Sequence, residues 1–202
     1  MITIALPKGR IADQTLEIFE KIFNKKFEFD DRKLIFEQDN FRFLKVRNQD
    51  VPVYVSNLAA DIGVVGLDVL EENEYDVLKL LDLGIGKCKV CIGSHNDYRI
   101  DYDRPDLKVA TKMPNIAKKF FAKKAIAIDM IKLYGSIELA PLVGLSDVIV
   151  DIVETGSTMK QNNLKVDEII MDSSAFLIAN KNSFYQNKSD ILNLVTRIKE
   201  NL

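Results

Sequence analysis

The chain has 202 residues, enough for one large domain or two smaller lobes around a buried core. Its 47% hydrophobic and 29% charged residues are those of an ordinary globular protein, and a net charge of −2 with both signs interspersed excludes a surface built as a whole for nucleic acid. No apolar run approaches the ~20 residues needed to cross a bilayer. Met1-Ile2-Thr3-Ile4-Ala5-Leu6 is too short for a signal h-region before Pro7-Lys8-Gly9-Arg10 ends it, which predicts a cytoplasmic protein.

Residues 2–6 read as a buried strand, Pro7-Lys8-Gly9-Arg10 as a turn, and 12–23 as a helix with Leu16, Phe19, Ile22 and Phe23 on one face. Residues 25–39 are charged with interspersed phenylalanines and contain a short strand, and residues 41–47 alternate as another. Residues 50–60 are ambiguous: Val51, Val53 and Val55 alternate, but Pro52 near the start and a buried strand at 61–66 favour a connecting helix. A short helix follows over 67–73. Strands are predicted at 77–83, 87–93 and 107–111, with a polar loop over 94–106. Pro114-Asn115 opens a helix to about residue 124, residues 129–134 are a strand, and 136–142 a helix with Glu138 in its first turn. A strand over 147–153 runs into Glu154-Thr155-Gly156-Ser157-Thr158, where a short helix starts near Ser157. Two more strand-like runs cover 167–172 and 175–180, and an amphipathic helix covers 189–202. Strands alternating with short helices predict an α/β fold with largely parallel sheets.

The chemistry concentrates at the strand-to-helix turns, since ligands of open α/β sheets bind beyond the carboxyl ends of strands. Thr155, Ser157 and Thr158 bring three hydroxyls beside Gly156 and the outward-pointing N–H groups of a helix start, a pattern suited to an anion. An ordinary helix cap has the same local pattern. Asp151 and Glu154 sit just upstream and could hold sugar hydroxyls or a magnesium-bound substrate, which together points to a phosphorylated sugar. Lys8 and Arg10 occupy the first such turn and Gly66-Leu67-Asp68 another, so three turns could converge on one cleft, although solvated charge is the commoner fate of a lysine in a turn. Lys118, Lys119, Lys123 and Lys124 read as the solvated face of a helix whose Phe120 and Phe121 enter the core. No Walker loop and no GxGxxG is present. Cys88 and Cys91 form a CxxC pair on a strand-like run, where residues three apart face opposite ways, so they read as core or half-buried residues rather than a redox or zinc pair. The single histidine, His95, reads as a surface residue.

These residues add up to a resemblance to the ATP phosphoribosyltransferase family, in its short form. The matching segments are Leu6-Pro7-Lys8-Gly9-Arg10, residues 60–68, residues 108–117, residues 132–145 and residues 151–158, in family order across nearly the whole chain. The resemblance implies condensation of ATP with phosphoribosyl pyrophosphate to N1-(5-phosphoribosyl)-ATP and pyrophosphate, with Mg2+ as cofactor. It implies a two-lobed fold like the type II periplasmic binding proteins, with a ligand cleft between lobes: residues 1–86 plus 174–202 as lobe one and 87–173 as lobe two.

By the same resemblance, Glu154, Thr155, Gly156, Ser157 and Thr158 form the loop around the 5-phosphate of the donor. Asp151 and Glu138 are the acids near its ribose, with Asp151 meeting the metal mostly through substrate. Lys8 and Arg10 serve the pyrophosphate and ATP phosphates, and Asp68 lies near the nucleotide. The chain ends directly after its terminal helix, where long-form members continue into a regulatory domain. That resembles the short form, which works with a regulatory subunit similar to histidyl-tRNA synthetase. Two other readings stay open: a non-catalytic two-lobed binding module, and a phosphoribosyltransferase with a different acceptor.

Overall fold

The computed structural model describes residues 1–30 and 32–202. The chain divides into two compact units, Met1–Gly86 with Ser174–Leu202, and Lys87–Ser173. Each is built on one sheet with helices on both faces.

The first unit contains β1 (Ile2–Pro7), α1 (Arg10–Phe23), β2 (Ile35–Gln38), β3 (Phe41–Val46), α2 (Val51–Ser56), β4 (Ile62–Gly66), α3 (Leu67–Glu72), β5 (Leu78–Asp82), β11 (Ala175–Ala179), α7 (Lys181–Gln186) and α8 (Lys188–Lys199). The strand order is β2-β3-β1-β4-β11-β5. β1 lies parallel to both β3 and β4. Because β1 and β4 are covered on both faces, they are continuous apolar runs rather than alternating ones. On one face α1 and α8 bury Leu16, Phe19, Ile191 and Leu194 against Ile4, Leu6, Phe43 and Val64. On the other, α2 and α3 bury Val51, Val55 and Val69 against Ala5, Val65 and Ile178. Gly63 lets α2 approach, since a Cβ there would lie 2.8 Å from methyl carbons of Val51 and Val55.

The second unit contains β6 (Cys88–His95), β7 (Leu107–Thr111), α4 (Pro114–Lys123), β8 (Ile128–Lys132), α5 (Leu139–Leu142), β9 (Val148–Val153), α6 (Ser157–Gln161) and β10 (Leu164–Ser173). Its strand order is β10-β6-β9-β7-β8, with β7 parallel to both β8 and β9. α4 buries Ile116, Ala117 and Phe121 with Val109, Val148 and Val150 on one face. Ile137, Ala140 and Met159, from around α5 and α6, pack with Ala110 and Ile149 on the other.

Several expectations need correction. The sheets are mixed rather than largely parallel: among the described residues four strand pairs are parallel and five antiparallel. β11 re-enters the first sheet antiparallel to β4 and β5, and β6 meets β9 and β10 antiparallel, without the helical crossover that a parallel neighbour requires. The helix expected over 136–142 is the single turn Leu139–Leu142, so Glu138 precedes it instead of lying in its first turn. The run at 167–172 belongs to the ten-residue β10, interrupted by two register shifts against β6. Residues 181–186 form α7, capped by Asn180, whose Oδ1 accepts from the N–H groups of Asn182 and Ser183 at 2.8 and 3.2 Å.

Phe19 is the centre of an aromatic cluster, with ring centroids 5.3 Å from Phe41, 5.2 Å from Phe43 and 5.7 Å from Phe27, and it is 1% exposed. Phe19→Ala is expected to lower unfolding free energy by about 3–5 kcal/mol, read by urea denaturation with far-ultraviolet circular dichroism. A loss under about 1 kcal/mol would mean this core repacks freely.

Candidate active site

At β7 the second sheet changes its direction of winding. The chain leaves β7 through α4 toward one face and leaves β9 through α6 toward the other. The two loops therefore part at the carboxyl edge of the sheet, the place where open α/β sheets hold ligands. A cavity of about 460 Å3 lies there, lined by Lys112, Glu138, Asp151, Ile152, Val153, Glu154, Thr155, Gly156, Ser157, Thr158 and Met159.

Local packing explains why these residues meet. Met159, 4% exposed, is buried in the same small core as Ile137 and Ala140, so one cluster anchors both the turn before α6 and the backbone on either side of Glu138. Gly156 takes φ +77°, a left-handed conformation that turns the strand exit sharply into α6. Thr155 Oγ1 lies 3.0 Å from Ser157 Oγ and accepts from the Ser157 N–H at 3.4 Å, which holds the turn closed on itself. Glu154, Thr155, Ser157 and Thr158 are exposed there.

Asp151 is different. It is 6% exposed, and its Oδ1 accepts from its neighbour's backbone, Ile152 N–H, at 2.8 Å. The same oxygen lies 3.1 Å from Lys112 Nζ. Lys112 follows β7 directly. Its position is set by buried Thr111, whose hydroxyl donates to Val150 O at 2.7 Å and accepts from Met113 N–H at 2.9 Å. The register pairs Thr111 with Val150, which brings Lys112 alongside Asp151.

Of the site residues expected from sequence, the structure brings Glu138, Asp151, Glu154, Thr155, Gly156, Ser157 and Thr158 to one cavity. Lys8, Arg10 and Asp68 belong to the first unit. There they occupy the turns after β1 and β4, which are adjacent parallel strands. Lys8 and Arg10 are exposed. Asp68 is 5% exposed and folded over Gly66, whose Cβ, if present, would lie 2.3 Å from Asp68 Oδ1. Sequence reasoning missed Lys112. The signal for it was its place immediately after an apolar strand, the same kind of position as Lys8.

For a divalent cation the donor set is hard oxygen, from Asp151, Glu138 and Glu154. Among the described residues no three acids, histidines or cysteines are grouped to hold a metal by themselves. Asp151 fits Mg2+ of the kind bound by one or two carboxylates together with substrate phosphates.

Outside the cavity, Cys88 is half-buried and Cys91 buried on β6, and neither is in a disulfide. Burial pushes the Cys91 thiol above its ordinary value, which makes it a poor nucleophile. His95 ends β6, with Nε2 2.9 Å from Asn163 Nδ2. Lys118, Lys119, Lys123 and Lys124 are exposed while Phe121 is buried, and Lys124 pairs with Glu168 and lies 4.5 Å over the Phe120 ring.

Two α/β units of this winding define a fold class shared with periplasmic ligand-binding proteins. The aliphatic sulphonate binding protein SsuA from Escherichia coli superposes with a TM-score of 0.66 at 13% identity, over 98% of this chain and 71% of that one. Sequence narrows the class to a family. The model of HisG, ATP phosphoribosyltransferase, matches residues 47–200. A protein of Wolinella succinogenes named ATP phosphoribosyltransferase is 69% identical over 194 residues, covering 96% of this chain and 94% of its own. One of Campylobacter curvus with the same name is 68% identical over 202 residues, covering 100% and 98%. A solved structure titled as the ATP phosphoribosyl transferase (HisG:HisZ) complex from Thermotoga maritima matches with a TM-score of 0.85 and 30% identity, over 99% of this chain and 98% of that one. The chain belongs to the ATP phosphoribosyltransferase family, whose reaction is the first step of histidine biosynthesis.

The burial difference at the two thiols is directly measurable. With a disulfide thiol reagent at pH 8, at most one cysteine per native chain is expected to react rapidly, and the second only after denaturant is added. Two fast thiols in the native protein would contradict the packing of β6.

Proposed function

We propose that the chain condenses ATP with phosphoribosyl pyrophosphate, giving N1-(5-phosphoribosyl)-ATP and pyrophosphate, and that its second unit is the donor-binding part. The observation that carries this is the grouping of a glycine-turned hydroxyl loop with a buried carboxylate at one cavity. A phosphate needs several hydrogen-bond donors, and the hydroxyls of Thr155, Ser157 and Thr158 with the N–H groups of their turn supply them. A ribose needs acceptors for its hydroxyls, and Asp151 and Glu138 supply those. A 5-phosphorylated ribose has both requirements at its two ends.

The reaction asks little covalent work of the protein. The lone pair of adenine N1 forms a bond to the anomeric carbon as the bond from that carbon to the pyrophosphate oxygen breaks, and the electron pair leaves with pyrophosphate. N1 carries no proton to be removed, so no general base is required. The anomeric carbon becomes cation-like in transit, and fixed carboxylates beside the ribose stabilise that charge. Lys8 and Arg10 serve the pyrophosphate and the ATP phosphates. Asp68, buried in its own turn, shapes the turn after β4 near the nucleotide. Asp151 would meet a Mg2+ ion held mostly through substrate, and that ion would supply charge neutralisation of the departing pyrophosphate.

We further propose a cytoplasmic location, supported by the fact that no helix among the described residues is long and apolar enough to cross a membrane. A regulatory subunit resembling histidyl-tRNA synthetase is proposed as partner, supported by the similarity to the Thermotoga maritima protein solved as a HisG:HisZ complex.

Two measurements test these statements. Thr158→Ala and Gly156→Val should each raise the KM for phosphoribosyl pyrophosphate about tenfold and move the KM for ATP by less than about twofold. Unchanged donor KM in both would remove the phosphate-loop assignment. Pyrophosphate release from ATP and the donor should rise on adding the regulatory subunit, and histidine should inhibit only the mixture. Full turnover and histidine inhibition from the chain alone would refute the partner.

A further inference from the structure

The donor cavity has an electrostatic problem. A pyrophosphorylated sugar phosphate is a polyanion, yet among the described lining residues there are three carboxylates, Glu138, Asp151 and Glu154. Lys112 is the one cation among them. We infer that Lys112 is a substrate-binding residue for the phosphoribosyl donor: its ammonium holds the Asp151 carboxylate in place and donates its remaining N–H groups to donor phosphate oxygens. The inference rests on the reading of this cavity as the donor site.

Geometry separates this pair from an ordinary surface ion pair. Asp151 is buried, and a polar group taken out of water without a partner is costly. Lys112 Nζ is that partner at 3.1 Å, with the lysine side chain 30% exposed against 9% for the aspartate. The ammonium is thus the more accessible member. It has three N–H groups, and the Asp151 contact needs only one of them. On the aspartate, the Lys112 ammonium and the Ile152 N–H both fall on Oδ1, so Oδ2 stays available to a sugar hydroxyl.

The placement is also built rather than incidental. The Thr111 hydroxyl ties the strand end to Val150 O and the Met113 N–H, fixing the backbone on both sides of Lys112. Ala110 and Ile149 pack in the cluster that also holds Met159; Asp151 follows Ile149 two residues later on β9, on the same face, and Lys112 comes just past the end of β7 beside it. A neutral Lys112–Asp151 pair lets an acid sit against the ribose without repelling the donor's phosphates. An isolated Asp151 would repel them.

The test uses the full-length chain. Donor affinity is measured by calorimetry with Mg2+ and phosphoribosyl pyrophosphate alone, and both KM values are measured in the assay. Lys112→Met should weaken donor binding about tenfold or more and leave the ATP KM within about twofold. Lys112→Arg, which keeps the charge, should recover most of the loss. Lys112→Met combined with Asp151→Asn should lose less than the product of the two single losses, because the pair acts as one unit. Unchanged donor binding in Lys112→Met and Lys112→Gln, with native circular dichroism, overturns the inference. So does an equal rise in both KM values. If those variants bind donor normally while Thr158→Ala binds it poorly, the donor-site reading stands and only the role of Lys112 falls. If Thr158→Ala and Gly156→Val also bind donor normally, the reading and the inference fall together.

Discussion

The structure depends on one constraint, the reversal of winding around a central parallel strand. β7 has parallel neighbours on both sides, and the helices leaving β7 and β9 cover opposite faces. Backbone groups at the carboxyl edge are thereby left without a covering helix, and the loops that diverge there open a cavity. The first unit repeats the arrangement: β1 has β3 and β4 beside it, and α1 and α3 go to opposite faces. The same winding is used twice with different side chains. The turns of the first unit carry the exposed cations Lys8 and Arg10, and that of the second carries hydroxyls and acids.

Electrostatics within the second unit follows from that edge. Strand residues of β9 alternate between the two helix-covered faces, so Asp151 points the way of buried Ile149 and is itself buried. The cation nearest that carboxylate is Lys112, which the parallel pairing of β9 with β7 brings to 3.1 Å. The turn at Thr155, Gly156 and Ser157 is solvated instead, because Val153 is the last strand residue and Gly156 redirects the chain. A buried acid and exposed hydroxyls thus share one cavity because the strand ends between them.

The strands and main helices were legible because burial on both faces leaves continuous apolar runs, as in Ile4-Ala5-Leu6 and Val148-Ile149-Val150. Local chemistry misled in identifiable places. Pro141 lies within the segment and Gly144, at φ +72°, soon follows it, so the helix after Glu138 is one turn. Two register shifts break the alternation of β10, so only part of it read as a strand. Asn180 looked like the end of a strand, whereas its side chain caps α7. Mixed sheet direction was hidden because β6 and β11 enter their sheets from the other unit, and no local pattern records the sense in which a strand pairs.

By itself the sequence determined the α/β class, the family through segments spread across the chain, and the hydroxyl turn, since each depends on residues close together in the chain. Tertiary structure alone decided that Asp151 is a buried acid while Glu154 is exposed, and that Lys112 is its partner. A lysine after a strand reads as a solvated charge until β7 and β9 pair. That pairing is non-local, and it places the ammonium 3.1 Å from a carboxylate that belongs to a different strand.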